Sequence, residues 1–442
     1  YTGLTIGKTY EAFVGNTSGN VGGFTHITSG TTFNNITLNA PFFFVAGATT
    51  ADFQCGVLST VIDRFTFFDN ISLKENARDN VPRIDYTGGG CPHILAEPQR
   101  TNLALNSETF SSYATSNVNI TSSSTLSPDG TSTAIKLALD NGTLSSNGGM
   151  SFPQSTTAGQ NFSWSMFVKK AEYSYLTFSF GSNAAVGFHF DLDTGLITQV
   201  LASAQYTLIE NKVESFNNGW YRLSISLTDV GGSGGRFVCI KPSPIEPTAN
   251  NNNYSSTGDG TSGIYVWGAQ LEEATYPTSY IPTSGATVTR NQDVFTRDGI
   301  SSLINSTEGV LFAEIAALDT DISDGYLSLN NGGNYQVRIG YLSGNIYIQI
   351  RINGAVPYAY SFAGTITDFN KIAVKWTATE QKIYVNGSLV NSGTASTIFP
   401  SGTLNNMEFS VSGPTPVYAK VKQLQVYPTA LSDSELTSLT TP

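Results

Sequence analysis

One stretch of the sequence is acidic enough to be tested for glycoside hydrolysis, and it runs from Glu314 to Asp324. That reaction needs two carboxyl groups facing one cleft, roughly 5–10 Å apart. The spacing of these acids does not match such a pair, and those after Leu318 fall in a predicted turn. We therefore expect no catalytic residues and no enzymatic activity, and a polysaccharide hydrolase is the least favoured alternative.

Two other groups of residues have side chains that bind metals. His189, Asp191 and Asp193 alternate along one predicted strand and would share a face, but Asp193-Thr-Gly is an ordinary turn sequence, which we favour. The loop Gly258-Asp259-Gly260 supplies one acid, whereas calcium needs several oxygen ligands together. We predict no metal site and no cofactor, with calcium at Asp259 as the open alternative.

Aromatic side chains supply a third kind of chemistry, because exposed rings act as flat platforms for sugars. Trp164 and Trp376 lie in alternating strands and are predicted to be in the core. Tyrosines are so numerous between residues 335 and 360 that some must be exposed. The candidate glycan-binding residues are Tyr335, Tyr347, Tyr358 and Tyr360.

Composition limits the class of protein that positions these residues. The chain has 442 residues, of which 12% are charged and 12% aromatic. Its abundant Gly is typical of a turn-rich, all-β fold, and its aromatic content argues against disorder, which needs few aromatics and a high net charge. The net charge of −11 and the lack of basic runs argue against a nucleic-acid partner. The longest apolar run, residues 41–48, is too short for the roughly 20 residues of a membrane span, so no membrane insertion is expected.

Three segments of the sequence are each predicted to form the last strand of a module, and they divide the chain into three parts. They cover residues 62–75, 264–273 and 417–428, and the second is followed by Pro277 and Pro282, which cannot donate to a sheet. We predict tandem jelly-roll or β-sandwich modules. Their bounds are 1–75 for a partial jelly roll (its C-terminal part), 76–100 for a connector, 101–280 for a jelly roll, 281–300 for a linker and 301–442 for the last sandwich.

Local signals add detail to these modules. Residues 1–75 contain five predicted strands, too few to close a sandwich, so we expect an upstream segment or a neighbouring subunit to complete them. The prolines and glycines of 76–100 argue against a central strand there. Asn353-Gly354 and Asn386-Gly387 predict tight hairpins. Ser432 and Glu435 form a capping box, which predicts the one substantial helix.

Two long stretches resemble linkers of bacteriophage tail and tail-fibre proteins. One runs from Pro82 to Leu103, and the other joins Gly268-Ala-Gln-Leu-Glu-Glu to Thr278-Ser-Tyr-Ile-Pro-Thr-Ser-Gly. They flank a module that is similar to carbohydrate-binding jelly rolls through Phe190–Gly195 and Asn218–Arg222.

The last module resembles the concanavalin-like, laminin-G-type domain of the same phage proteins. The likeness lies in Asn370-Lys-Ile-Ala-Val-Lys-Trp and Lys382-Ile-Tyr-Val-Asn-Gly. These resemblances imply a non-enzymatic virion structural protein, a tail fibre or appendage on the extracellular virion surface. Its expected partners are other virion proteins and host surface polysaccharide, and a homo-oligomer, with a trimer favoured, is expected. The alternative is a purely architectural decoration protein of the head or tail.

Overall fold

The computed structural model describes residues 2–4, 9–19, 23–29, 32–35, 42–45, 48–57, 66–75, 83–86, 91–110, 113–144, 149–153, 157–181, 185–231, 237–251, 253–320, 324–394, 399–409 and 417–442. The chain divides into two compact units, Tyr1–Pro82 and Arg83–Pro442. Regular structure in the described ranges is almost entirely antiparallel strand, with one α-helix at the C-terminus. The predicted all-β fold is confirmed.

The first unit contains two three-stranded sheets, with strand orders β4-β1-β6 and β3-β2-β5. Its strands are β1 (Thr9–Gly19), β2 (Gly23–Ser29), β3 (Thr32–Asn35), β4 (Phe42–Val45), β5 (Asp52–Val57) and β6 (Thr66–Glu75). Tyr10, Val14 and Ile27 belong to a small core. Strand β2 was not predicted from the sequence, although its Phe, Thr and Ile residues favour strands, and it pairs with β3 and β5.

The second unit opens with three short strands, β7 (Arg83–Asp85), β8 (His93–Ala96) and β9 (Arg100–Asn102). A two-sheet sandwich follows, with strand orders β10-β14-β21-β16-β17-β18 and β11-β12-β23-β15-β20-β19. Its strands are β10 (Ala114–Ser116), β11 (Val118–Ser122), β12 (Ile135–Leu139), β13 (Gly142–Leu144), β14 (Gly149–Pro153), β15 (Asn161–Lys170), β16 (Tyr175–Phe180), β17 (Val186–Asp191), β18 (Leu196–Leu201), β19 (Tyr206–Phe216), β20 (Trp220–Asp229), β21 (Phe237–Ser243), β22 (Ser256–Gly258) and β23 (Gly263–Glu272). Trp164 is buried there, as predicted, and stacks on Phe178.

A second sandwich occupies the C-terminal part of this unit. Its strands are β24 (Val288–Arg290), which pairs with β9 instead, β25 (Thr296–Arg297), β26 (Gly309–Ala317), β27 (Gly325–Asn330), β28 (Gln336–Leu342), β29 (Asn345–Ile352), β30 (Ala355–Phe362), β31 (Asn370–Trp376), β32 (Gln381–Val385), β33 (Ser388–Gly393), β34 (Asn406–Glu408) and β35 (Ala419–Tyr427). The predicted helix is α1 (Asp433–Thr440), and its capping box is present. The sheet orders are β25-β34-β27-β28-β29-β30 and β33-β32-β31-β26-β35-β8-β7. Trp376 is buried between the sheets, as predicted.

The expectation that residues 76–100 hold no central strand was wrong at β8. This strand lies between β35 and β7 in the seven-stranded sheet of the C-terminal sandwich, with Ala96 paired to Ala419. Pro92 stands just before β8 and Pro98 follows it, so neither proline removes a donor from the ladder. Strand β8 precedes the jelly roll in the sequence, but it belongs to a sheet of the C-terminal sandwich, which follows the jelly roll.

The side chain of Asn102 connects the two segments that resemble linkers, residues 82–103 and 268–285, through hydrogen bonds. Its Nδ2 donates to the carbonyl oxygens of Ala269, at 3.1 Å, and Ile281, at 2.8 Å. Its Oδ1 accepts from the backbone N–H groups of Ala104 and Leu271, both at 3.0 Å. The side chain is fully buried, so all four hydrogen bonds are shielded from water. Residues 102–107 and 268–285 thus form a fixed joint.

Candidate functional site

Strands β28 and β29 send aliphatic side chains into the core of the C-terminal sandwich at alternate positions. Val337, Ile339, Ile346 and Ile348 are fully buried there. Because successive side chains point to opposite faces of a sheet, the residues between them lie on the other side. Six of these side chains form what we call the polar face: Tyr326 of β27, Gln336 and Arg338 of β28, and Tyr347, Gln349 and Arg351 of β29.

Two tyrosine rings meet on the polar face across a glycine. Gly340 is paired with Tyr326 on one side and Tyr347 on the other. Since Gly340 has no side chain, the rings approach to 5.7 Å between centroids. A Cβ atom at Gly340 would lie 2.0 Å from the carbonyl oxygen of Gly325, so a larger residue does not fit. The guanidinium carbon of Arg338 lies 5.4 Å from the Tyr326 centroid, which adds a cation–π contact.

Several polar atoms of this face have no hydrogen-bond partner in the described part of the chain. They are both amide atoms of Gln336, Oε1 of Gln349, and Nε of Arg338 and Arg351. Gln336 is fully buried, while Tyr326, Tyr347 and Arg351 are half-buried and form the accessible layer. A buried polar group without a partner costs about 1–3 kcal/mol, so a cluster of them is unusual in a purely structural sheet.

The charge on the polar face is positive. Burial lowers the pKa of Arg338, and the neighbouring charge of Arg351 lowers it further, while Tyr326 and Tyr347 act in the opposite direction. Two acids lie near the face. Burial raises the pKa of Tyr326 and the charge of Asp324 raises it further, while Glu408 of β34 is paired with Ser328 and is the acid nearest to Arg338 in the register. Burial raises the pKa of Glu408, although a hydrogen bond with Asn330 partly opposes this. Among the described residues, no carboxylate forms an ion pair with either arginine.

The four candidate tyrosines do not lie together. Tyr347 is on the polar face, where its hydroxyl accepts from Gln349 Nε2 at 3.1 Å. Tyr335, Tyr358 and Tyr360 instead pack against the core cluster, and Tyr335 makes an edge contact with Phe399. Burial raises the pKa of Tyr358 to about 12, and Tyr360 contributes in the same direction.

Of the polar face, the sequence analysis identified only Tyr347 and missed Tyr326, Gln336, Arg338, Gln349 and Arg351. The signal was present in Gln-Val-Arg-Ile and Tyr-Ile-Gln-Ile-Arg, where polar and aliphatic residues alternate. That alternation predicted the strands, but tyrosine content alone was used to choose the site.

The candidate metal-binding residues are engaged in turns and in the sheet. Asp191 accepts from the Asp193 N–H at 2.9 Å and the Thr194 hydroxyl at 2.9 Å, as the turn interpretation requires. His189 bonds to Thr177 through Nδ1 and to the Ala249 carbonyl through Nε2, each at 2.8 Å. The residues that the structure describes contain no group of three or more His, Cys, Asp or Glu side chains placed to hold a metal.

Asp259, the alternative calcium ligand, holds its own loop. Its Oδ1 accepts from the N–H groups of Thr261 and Ser262, at 2.8 and 2.7 Å, and its Oδ2 accepts from the Ser262 hydroxyl at 2.6 Å. These bonds, led by that from the Ser262 hydroxyl, lower the pKa of Asp259. The carboxylate is therefore already committed to the turn, and calcium binding there stays an untested alternative.

The described acids of the stretch tested for hydrolysis have separate structural partners, and Asp321 lies outside the described residues. Glu314 lies on β26, 3.8 Å from Lys422 Nζ. Asp319 accepts from the hydroxyl of Thr275, and Asp324 accepts from the Ser343 N–H at 2.9 Å.

A loop segment that includes Ala249 and Tyr254 covers the outer face of one sheet of the jelly roll. Lys241, which is 2% exposed, donates to the Tyr254 carbonyl, and its Nζ lies 3.7 Å from the Tyr254 ring centroid. The Tyr254 hydroxyl bonds to Thr177 at 2.8 Å. The segment that includes Ala249 and Tyr254 therefore uses the polar groups of this face.

Comparisons with solved structures find domains of a sialidase and of an arabinanase, each with a bound sugar. One is the CBM40 of Ruminococcus gnavus IT-sialidase bound to α2,3-sialyllactose, at 19% identity and a TM-score of 0.27, covering 33% of this chain and 98% of that one. Another is domain 4 of AbnA, a GH43 extracellular arabinanase from Geobacillus stearothermophilus, in complex with arabinotriose. It shows 16% identity and a TM-score of 0.27, covering 35% of this chain and 73% of that one. Similarities at this level do not identify what this chain binds.

The family comparison concerns the sandwich that carries the polar face. No curated protein matches the sequence. Among the described residues, no helix has the length and apolar character needed to cross a membrane. Residues 313–437 match the family model of the concanavalin A-like lectin/glucanases superfamily, and they run from β26 into α1. The C-terminal sandwich is a concanavalin-like domain.

Proposed function

We propose that this chain binds glycans, without cleaving them, through the polar face of its C-terminal sandwich. The observation that carries the proposal is the joint presence of two tyrosine rings with side-chain amide and guanidinium atoms that have no hydrogen-bond partner among the described residues. Sugars present flat C–H surfaces and many hydroxyl groups, and they are recognised by aromatic rings together with a few placed polar groups. The family match of residues 313–437 to a lectin-like superfamily supports the same class of ligand.

The biological setting that fits this activity is the surface of a virion. The resemblance of residues 82–103 and 268–285 to phage tail-fibre linkers supports a structural protein of a tail fibre or appendage, exposed outside the cell and bound to other virion proteins. Its ligand would be host surface polysaccharide. A symmetric homo-oligomer, which we propose to be a trimer, would multiply weak single-site binding by roughly 10²–10⁴-fold through avidity.

The placement of the described acids supports binding without turnover. Glycoside hydrolysis requires two carboxyl groups facing one cleft. Glu314 and Asp319 instead contact Lys422 and Thr275, and the polar face itself contains no carboxylate among its six residues.

Binding of the full chain to host cells and to extracted capsule or lipopolysaccharide tests the proposal. Tyr347→Ala should abolish binding, because it removes one of the two rings. Tyr86→Ala is the matched control, since Tyr86 is 72% exposed and follows β7 of the other sheet. Equal binding by both variants would place the site elsewhere. Release of reducing ends would support the hydrolase alternative, and no binding even by the oligomer would support the architectural one.

A further inference from the structure

The two arginines of the polar face differ from the other enclosed arginines of this unit. Arg83 pairs with Glu97 and Asp293, Arg290 pairs with Glu97, and Arg222 donates to the Thr278 carbonyl at 2.7 Å. Arg338 is 9% exposed, yet its favourable partners among the described residues are the two tyrosines Tyr326 and Tyr347, and it forms no ion pair with a described carboxylate.

Register brings the two guanidinium groups close together. Arg338 is paired with Gln349, and Arg351 lies two residues further along the same strand and on the same face. Such diagonal neighbours are roughly 7–8 Å apart, within reach of long side chains. Two like charges at this distance repel each other, and partial burial weakens screening by water. The two arginines therefore repel each other, and one anion bound between them would offset this repulsion.

The local charge is also opposite to that of the whole protein. The chain carries a net charge of −11, so a general attraction of anions to its surface is not expected. Glu408, the nearest acid in the register, is on β34 and separated from β28 by β27, and it hydrogen-bonds with Asn330. It therefore does not neutralise the arginine pair.

We infer that the ligand of the polar face is an acidic saccharide, whose anionic group is held by Arg338 and Arg351 while its ring packs on Tyr326 and Tyr347. The inference rests on the proposed glycan binding and specifies its ligand class. The planar fork of a guanidinium group forms paired charge-assisted hydrogen bonds with an oxyanion, and these are about twice as strong as neutral ones. Carboxylate and sulfate groups share this chemistry.

The test compares charged and neutral versions of the same sugars. Uronate and sialyl oligosaccharides would each be titrated beside their carboxyl-reduced counterparts, and sulfated oligosaccharides beside their desulfated ones, with the full wild-type chain. We expect at least one acidic member to bind about tenfold or more tighter than its neutral counterpart, with affinity falling as salt rises. Whether the tightest-binding probe is carboxylated or sulfated identifies the anionic group that the site prefers.

Variants then locate the effect. Arg338→Gln and Arg351→Gln should each remove the preference for the acidic probe, so that the acidic probe and its neutral counterpart bind with equal affinity. Arg297→Gln is the charge-matched control, because Arg297 is an exposed residue of β25 in the same sheet. Equal affinity of acidic and neutral probes for the wild-type chain would overturn the inference while leaving glycan binding intact. Loss of acid preference in Arg297→Gln would also overturn it, and no binding of any probe would overturn both proposals.

Discussion

Asn102→Ala should strongly destabilise the joint between the jelly roll and its exit segment. The side chain satisfies four backbone groups, two carbonyl oxygens and two N–H groups, at 2.8–3.1 Å. Alanine reaches none of them, and at a fully buried position water cannot replace the lost bonds. With about 1 kcal/mol for each bond and a further cost for the unpaired groups, the loss is roughly 3–5 kcal/mol.

Asn119→Ala is the matched control for this variant. Asn119 also donates twice, to Asp140 at 3.3 Å and to the Gly260 carbonyl at 3.2 Å, but it is half-buried and water can take its place. We expect its cost to be about 1 kcal/mol or less.

Urea unfolding followed by tryptophan fluorescence measures both variants. Of the four tryptophans, Trp164, Trp220 and Trp267 are buried in the jelly roll, so the signal reports mainly on that sandwich. An Asn102→Ala cost below about 1 kcal/mol, or equal to that of Asn119→Ala, would refute the idea that the two linker-like segments are locked by this side chain.

Two further predictions concern pH and the terminal helix. Burial lowers the pKa of Lys241 from 10.5 to about 8, so the unfolded chain binds more protons between these values, and stability should rise by roughly 3 kcal/mol from pH 8 to 10.5. Lys241→Met should flatten that rise in urea titrations, and parallel pH profiles for the two proteins would contradict this. At the C-terminus, Leu436→Ala should cost roughly 2–5 kcal/mol because Leu436 is fully buried against Phe312 and Tyr384, whereas Ser432→Ala should cost about 1 kcal/mol by removing the helix cap. Hydrogen exchange of the helix amides measures both, and a reversed order would show that capping outweighs packing.

Local patterns in the sequence predicted local structure well. Asn353-Gly354 and Asn386-Gly387 form the tight turns expected of them, with φ of 50° and 80° in the first and 48° and 83° in the second. These angles suit asparagine and glycine and match the twist of the flanking strands. Ser432 and Glu435 formed the predicted cap for a similar reason, since a cap depends on residues three apart.

Long-range pairing was beyond the reach of these patterns. Strand β8 exists because Ala96 pairs with Ala419 of β35, and nothing near Ala96 in the sequence identifies that partner. The polar face was missed for a related reason. Alternation shows that Arg338 and Ile339 point in opposite directions, but not that Arg338 is enclosed between Tyr326 and Arg351 on neighbouring strands. The sequence also did not show that the candidate tyrosines lie apart. Tyr347 and Tyr358 occupy opposite faces of one sheet.

The most direct test of glycan binding at the polar face is a crystal structure of the full chain soaked with an oligosaccharide released from the host polysaccharide. We predict density for a sugar ring over Tyr326 and Tyr347, with an oxygen of the ligand within hydrogen-bond distance of the Arg351 guanidinium group. Ordered sugar on any other surface, with the polar face empty, would contradict the assignment.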